Sequence, residues 1–467
     1  MSPLLQVEEL AVAGVGEIVR PTSLDLSAGR AFTILGETGS GKTLLAQAIM
    51  GTLPAGLRAS GRIRIHGQAV QDWPLAQRRA LWGREVAMLP QEPWLALDPT
   101  MRVLPQVAEG HRHVRGRSSG QARAAARDDL LALGLEAAAG RLPGQLSGGM
   151  AQRVAFAAAR AGGAGLLIAD EPTKGLDADR RDEVAALLRR EVEAGGGLLT
   201  ITHDIQVARL LGGEVAIMHE GRLVERGPAR ELLSRPASDY ARRLLAADPT
   251  AWPSATPAPV GDEVLRVEDL AIARGGRLLF EGLGFTAAAG EVIGVTGPSG
   301  CGKSTLGDLC LGLLAPTRGV VQRNPALARL RYQKLYQDPP AAFPPHATLG
   351  QSVNDVVARH RLDPALVDTL LRRLRLDPAL LARHPRSVSG GELQRLAILR
   401  VLLLAPVFLF ADEPTSRLDT LTQQETIGLL TELARERGCA LLLVSHDRTL
   451  VDRVADRRIG IRPESPG

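Results

Sequence analysis

Aromatic side chains make up only 3% of this sequence, and cysteine occurs three times in its 467 residues. Cys301, Cys310 and Cys439 have neither the spacing of a metal-ligand set nor the number for a disulfide framework, so a reducing compartment suits the chain. A membrane-spanning run is also missing. The most apolar stretch, 398–411, is interrupted by Arg400 and Pro406, whereas a helical span needs about 20 apolar residues. The start reaches Glu8 and Glu9 within nine residues, which does not suit a secretory leader. Charge of one sign is lacking too. Against 51 acidic residues stand 56 basic ones, and no long basic run accompanies the high pI, so nucleic acid is not an expected partner. The run HRHVRGR at 111–117 is expected to be a solvated loop rather than a nucleic-acid contact.

What the chain has instead is a 45% apolar content, enough for ordinary cores, and a length that suits two or three domains. It also has an internal repeat. GETGSGKT at 36–43 returns as GPSGCGKS at 297–304, LSGGMAQR at 146–153 as VSGGELQR at 388–395, and LLIADEPT at 166–173 as FLFADEPT at 408–415. GLD at 175–177 returns as RLD at 417–419, and ITHD at 201–204 as VSHD at 444–447. Five landmarks in one order divide the chain into copies at 1–246 and 263–467. Between them, 247–262 carries four prolines and reads as a stiff linker. In each copy short apolar runs alternate with helical patterns. They lead into the glycine loops, end in the acids, or end in the histidine turns, as in a parallel α/β sheet.

The chemistry of these motifs is specific. A GxxxxGK[ST] loop between strand and helix closes its backbone N–H groups on phosphate oxygens, and the helix N-terminus adds positive potential. The first loop is Gly36, Glu37, Thr38, Gly39, Ser40, Gly41, Lys42 and Thr43. The second is Gly297, Pro298, Ser299, Gly300, Cys301, Gly302, Lys303 and Ser304, followed by Thr305. Lys42 and Lys303 should reach the β- and γ-phosphates, with Thr43 and Ser304 on Mg²⁺. Asp170 and Asp412 end apolar strands, as acids that support Mg²⁺ should. Glu171 and Glu413 follow, placed to polarise an attacking water. His203 and His446, after the next strand, are placed to hold the γ-phosphate and that water in line.

Together the glycine loop, LSGGxxQR, the ADEP strand end, the D-loop and the switch histidine resemble the ATP-binding cassette (ABC) superfamily. The resemblance implies two tandem P-loop ATPase cassettes of α/β class, each with an antiparallel β-subdomain and a helical subdomain. It implies ATP and Mg²⁺, and an intramolecular pairing of cassettes head to tail. One site would then combine Lys42, Asp170, Glu171 and His203 with Ser389, Gly390 and Gly391. The other would combine Lys303, Asp412, Glu413 and His446 with Ser147, Gly148 and Gly149. Gln91 in MLPQEP and Gln337 in LYQDP match the family's Q-loops, which join the metal to the helical subdomain. The sequence departs from the family where an aromatic usually stacks on adenine, since those positions hold Gly14 and Arg274.

Finer features are similar to the peptide/nickel importer branch, notably the tail HEGRLVERGPARELLSRPASDYARRLLAADP of the first copy. The cysteine cluster that often follows such cassettes is not in this sequence, so no iron–sulfur site is expected. This resemblance implies an ATPase on the cytoplasmic face of the plasma membrane, working with two permeases and an extracytoplasmic solute-binding protein. A soluble tandem ATPase acting on ribosomes or nucleic acid is the alternative. The segments 91–107 and 337–353 are expected to expose Trp94, Leu95, Leu97 and Phe343 as permease-docking grooves.

Overall fold

The structure is a computed structural model that describes residues 3–255, 261–298, 300–416 and 418–461, without the side chains of Trp94 and Arg277. The chain divides into two compact units, Met1–Leu245 and Ala246–Gly467. Ser299, expected in the second glycine loop, lies outside the described residues.

In the first unit six strands form one sheet in the spatial order Arg222–Pro228, Glu214–His219, Ala31–Leu35, Gly197–Thr202, Leu166–Asp170 and Val86–Leu89. All pairs are parallel except the outermost hairpin. Each of the three central strands is buried along its whole length, which is why they read as unbroken apolar runs rather than alternating ones. The second unit repeats the plan with five parallel strands among the described residues: Tyr332–Leu335, Phe408–Asp412, Ala440–Val444, Val292–Thr296 and Arg457–Gly460. Each unit adds an antiparallel sheet built around Leu5–Ala13 or Glu263–Arg274. Each also has a helical layer, comprising Val103–Glu109, Ser119–Ala132 and Gly148–Arg160 in the first unit and Leu349–His360, Ala365–Arg373 and Gly390–Leu403 in the second. Among the described residues no helix is long and apolar enough to cross a membrane.

Helix starts are written locally. Ser118 and Thr348 form capping boxes with Gln121 and Gln351, each pair exchanging side-chain and backbone hydrogen bonds. The motif residues do the same work. Ser147, Asp177 and Asp204, like Ser389, Asp419 and Asp447, each cap the helix that follows.

Three expectations change. Leu97 and Phe343 are 6% and 4% exposed. Each packs into the helical layer of its unit, and the Arg400 guanidinium lies 5.1 Å over the Phe343 ring. Leu95 does face solvent, at 71% exposure. His111 is buried rather than solvated. It sits in one π-helical turn, Gly110–Val114, with its Nε2 2.6 Å from Asp129; the exposed members of that run are Arg112, His113, Arg115 and Gly116. Finally, part of 247–262 is folded. The Trp252 indole is buried in the second unit's core and donates to Ala247 O at 2.9 Å. The Ala255 N–H donates to Arg453 O at 2.7 Å, and Arg453 donates back to Ser254 and Thr250. Residues 256–260 of the linker lie outside the described residues.

Trp252→Ala is therefore expected to cost the second unit about 3 kcal/mol. Amide hydrogen exchange along the helix Arg448–Val454 should speed up accordingly. Unchanged protection there would mean that the segment only rests on the surface.

Candidate functional site

Both units build the same constellation at the C-terminal edge of the parallel sheet. In the first, the strand Ala31–Leu35 runs into the glycine loop and the helix Lys42–Met50. Gly36 has no substitute, because a Cβ there would stand 2.3 Å from Met218 O. Gly41, at φ 100, makes the left-handed turn into the helix. Lys42 is buried, with Nζ donating to Gly36 O at 2.8 Å and Glu37 O at 2.7 Å. In the second unit Lys303 Nζ donates to Gly297 O and Pro298 O at 2.9 and 3.0 Å. Each ammonium is thus held inside its loop's curve, beside the loop amides that suit a phosphate chain.

The acids follow from strand register. The Thr43 hydroxyl donates to Asp170 Oδ1 at 3.2 Å, and Ser304 hydrogen-bonds Asp412 likewise. Burial pushes the Asp170 carboxyl up to about 6 and that of Asp412 upward as well. A hydroxyl beside a buried carboxylate is a hard oxygen set with unsatisfied negative charge, which fits Mg²⁺ shared with phosphates.

Glu171 and Glu413 come next, at φ 48 and 47. A non-glycine residue in the left-handed region costs roughly 1–3 kcal/mol and is retained where function or packing demands it. Here the conformation turns each carboxylate toward its histidine: Glu171 Oε2 lies 2.8 Å from His203 Nδ1, and Glu413 Oε1 lies 2.5 Å from His446 Nε2. Burial, the largest single influence, would raise the Glu171 carboxyl, but the charge and hydrogen bond of His203, joined by the charges of Lys42 and Lys174, together leave the acid below its ordinary value. Burial, again the largest single influence, opposes the charge on His203, and the charge and hydrogen bond of Glu171 together with the charge of Asp204 reverse that, raising the imidazole.

The signature residues lie on another element. Ser147 accepts from Met150 N at 3.4 Å and Ser389 from Glu392 N at 3.3 Å at the starts of their helices. Gln337 Nε2 donates to Glu413 Oε2 at 2.8 Å, whereas Gln91 is exposed. Gly14 and Arg274 are both exposed. At Gly14 a Cβ would meet the end of the Leu57 side chain, Cδ2, at 2.8 Å.

Sequence reasoning missed Lys334. Its ammonium lies 2.8 Å from Asp308 and 3.8 Å from Asp412, nearly buried. The matching strand position in the first unit is Met88, and the position matching Asp308 is Gln47. Comparing the two copies residue by residue would have exposed this difference.

The match to the ABC transporter family model covers 19–174 and 280–416. The chain belongs to the ABC transporter ATP-binding family. It is an ATP-binding ATPase of that family. Its relatives include the uncharacterized ABC transporter ATP-binding protein YejF of Escherichia coli K12, 34% identical over 98% of this chain and 94% of that protein. The peptidoglycan transport ATP-binding protein YejF of Agrobacterium fabrum is 33% identical over 98% and 91%. The glutathione import ATP-binding protein GsiA of Escherichia coli O6:H1 is 32% identical over 97% and 84%. Among solved structures, an archaeal ribosome recycling factor, aABCE1, covers 97% of this chain and 87% of its own with a TM-score of 0.68 at 23% identity, a likeness of fold.

The Asp170 carboxyl supplies a test. Its folded pKa exceeds the unfolded value, so the native state holds the proton longer, and its ionisation costs stability increasingly as pH rises from about 4 to 6. At pH 7 the full cost, on the order of 3 kcal/mol, is present. Asp170→Asn keeps an acceptor for Thr43. In nucleotide-free protein it is expected to raise the urea midpoint at pH 7 and to do so progressively less toward pH 4. A midpoint shift of the same size at every pH would contradict the buried-acid assignment.

Proposed function

We propose that this chain energises import of a small, peptide-bearing solute by closing its two cassettes over two ATP molecules. The observation that carries the reading is the full-length match to relatives named for peptidoglycan transport and glutathione import. Both named solutes contain a short peptide, which favours that class over nickel.

In this reading Lys42 and Lys303 bind the β- and γ-phosphates, and Glu171 and Glu413 take the proton of the attacking water. His203 and His446 orient the water and the γ-phosphate. Thr43, Asp170 and Gln91, with Ser304, Asp412 and Gln337, would hold Mg²⁺, which would neutralise charge on the phosphate oxygens. The signature residues Ser389, Gly390 and Gly391 would close over the first ATP, and Ser147, Gly148 and Gly149 over the second. Local packing supports that assignment. A Cβ on Gly148 or Gly390 would meet nothing within 4 Å, and neither residue has a positive φ. Their own surroundings do not require glycine, whereas close approach of a phosphate to the helix N-terminus does.

The partners in this reading are two permeases, docked at the Q-loop faces on the cytoplasmic side of the membrane, and an extracytoplasmic binding protein. Leu95 in the first unit and Ala341 in the second are exposed beside those loops. Closure driven by ATP would move the docked permeases between access states.

The test is co-purification from detergent-solubilised membranes with the chain tagged. Two multi-span proteins should be recovered, and Leu95→Asp combined with Ala341→Asp should lose them while ATP binding persists. Recovery of ribosomes or nucleic acid without any membrane protein would overturn the reading.

A further inference from the structure

The first unit's glycine loop contains an acid, Glu37, where the second has Pro298. A carboxylate at the second position of a phosphate cradle is a liability. It can pair with the loop lysine, or face the triphosphate with like charge. The Glu37 carbonyl already accepts from Lys42 Nζ at 2.7 Å, so its side chain hangs from the loop's own lysine-binding residue.

That side chain is engaged by a residue far along the chain. The Tyr240 hydroxyl donates to Glu37 Oε1 at 2.7 Å. The Tyr240 ring stacks on His219, with centroids 3.8 Å apart and planes 19° from parallel. His219 ends the strand Glu214–His219, a direct neighbour of the glycine-loop strand. The turn beyond it is tied to the loop, since Gly221 N donates to Ser40 O at 3.1 Å.

The segment bearing Tyr240 is pinned in turn. Glu225, on the strand Arg222–Pro228, accepts from the backbone N–H groups of Ala237 and Ser238 at 2.8 and 2.9 Å. It also accepts from the Ser238 hydroxyl at 2.8 Å. Ser238 Oγ accepts from Ala241 N at 3.2 Å and so fixes the start of the helix Asp239–Ala246. An anchor, a stacked ring and a hydrogen bond therefore lead in sequence to one carboxylate of the phosphate loop.

We propose that Tyr240 is a positioning residue of the first nucleotide site, holding the Glu37 carboxylate away from the triphosphate and from Lys42. The inference rests on the reading of Lys42 and its loop as a nucleotide site. It makes the two sites unequal. The first depends on the helix Asp239–Ala246 being docked, and the second, with Pro298, has no acid to restrain.

The experiment measures binding of fluorescent ATP and ADP analogues to the full chain carrying Lys303→Ala, so that the first site is read alone. Tyr240→Phe keeps the ring and its stack and removes only the hydroxyl. With Glu37 present it should weaken ATP on the order of tenfold, the worth of one charge-assisted hydrogen bond, and weaken ADP less. In a Glu37→Gln background the same change should have little effect, because the charge it restrains is gone. Equal losses in both backgrounds, or none with Glu37 present, would overturn the proposal. Adding Lys42→Ala should abolish binding. Binding that survives it would instead overturn the reading of the loop, whatever Tyr240 does.

Discussion

The structure depends on the register of parallel strands buried on both faces. In the first unit Asp170 pairs with Ile201 and Leu35 with Thr202; in the second, Asp412 and Val295 both pair with Val444. The ends of the glycine-loop, acid and histidine strands therefore fall at one edge. A slip of one residue would carry the glutamate about 3.3 Å from its histidine and break the 2.8 and 2.5 Å contacts between them. Apart from the buried Thr33, Thr200 and Thr202 in the first unit and the half-buried Thr296 in the second, the glycine-loop and histidine strands are apolar. The cores beneath and above them hold the register, and the left-handed backbone at Glu171 and Glu413 is tolerated because those cores fix both flanks.

On this shared frame the two units differ in the details that surround the glycine loop. The second places Lys334 and Asp308 beside Asp412, where the first has Met88 and Gln47. The second also brings Gln337 onto Glu413. The first alone has an acid in its glycine loop, tied to Tyr240. A duplicated machine whose halves were interchangeable would not need such differences. The two sites can share chemistry and still differ in how readily each is filled.

Much of this was legible in the sequence because it is local. The repeated motifs gave the strands, the loops and the acids, and Ser147, Asp177 and Asp204 sit at helix starts because their short side chains bond backbone N–H groups. What was not legible depends on distant neighbours. Phe343 reads as an exposed residue among prolines, yet Arg400 and the helical layer cover it. Trp252 lies in a proline-rich stretch, and only Arg453 and the second unit's core explain its burial. Tyr240 is separated from Glu37 by most of the first unit, so no spacing rule could join them. His111 looked like part of a basic loop until Asp129, one helix away, came into contact.

The central claim is that both cassettes carry a complete catalytic set whose general base is the strained glutamate. Its most direct measurement is the identity and number of nucleotides kept by the chain carrying Glu171→Gln and Glu413→Gln after incubation with Mg²⁺ and ATP and rapid removal of free ligand. The account predicts two unhydrolysed ATP molecules per chain and no turnover. ADP in the retained fraction, or continued turnover, would contradict the assignment of these glutamates, and a single retained nucleotide would contradict the claim of two complete sites.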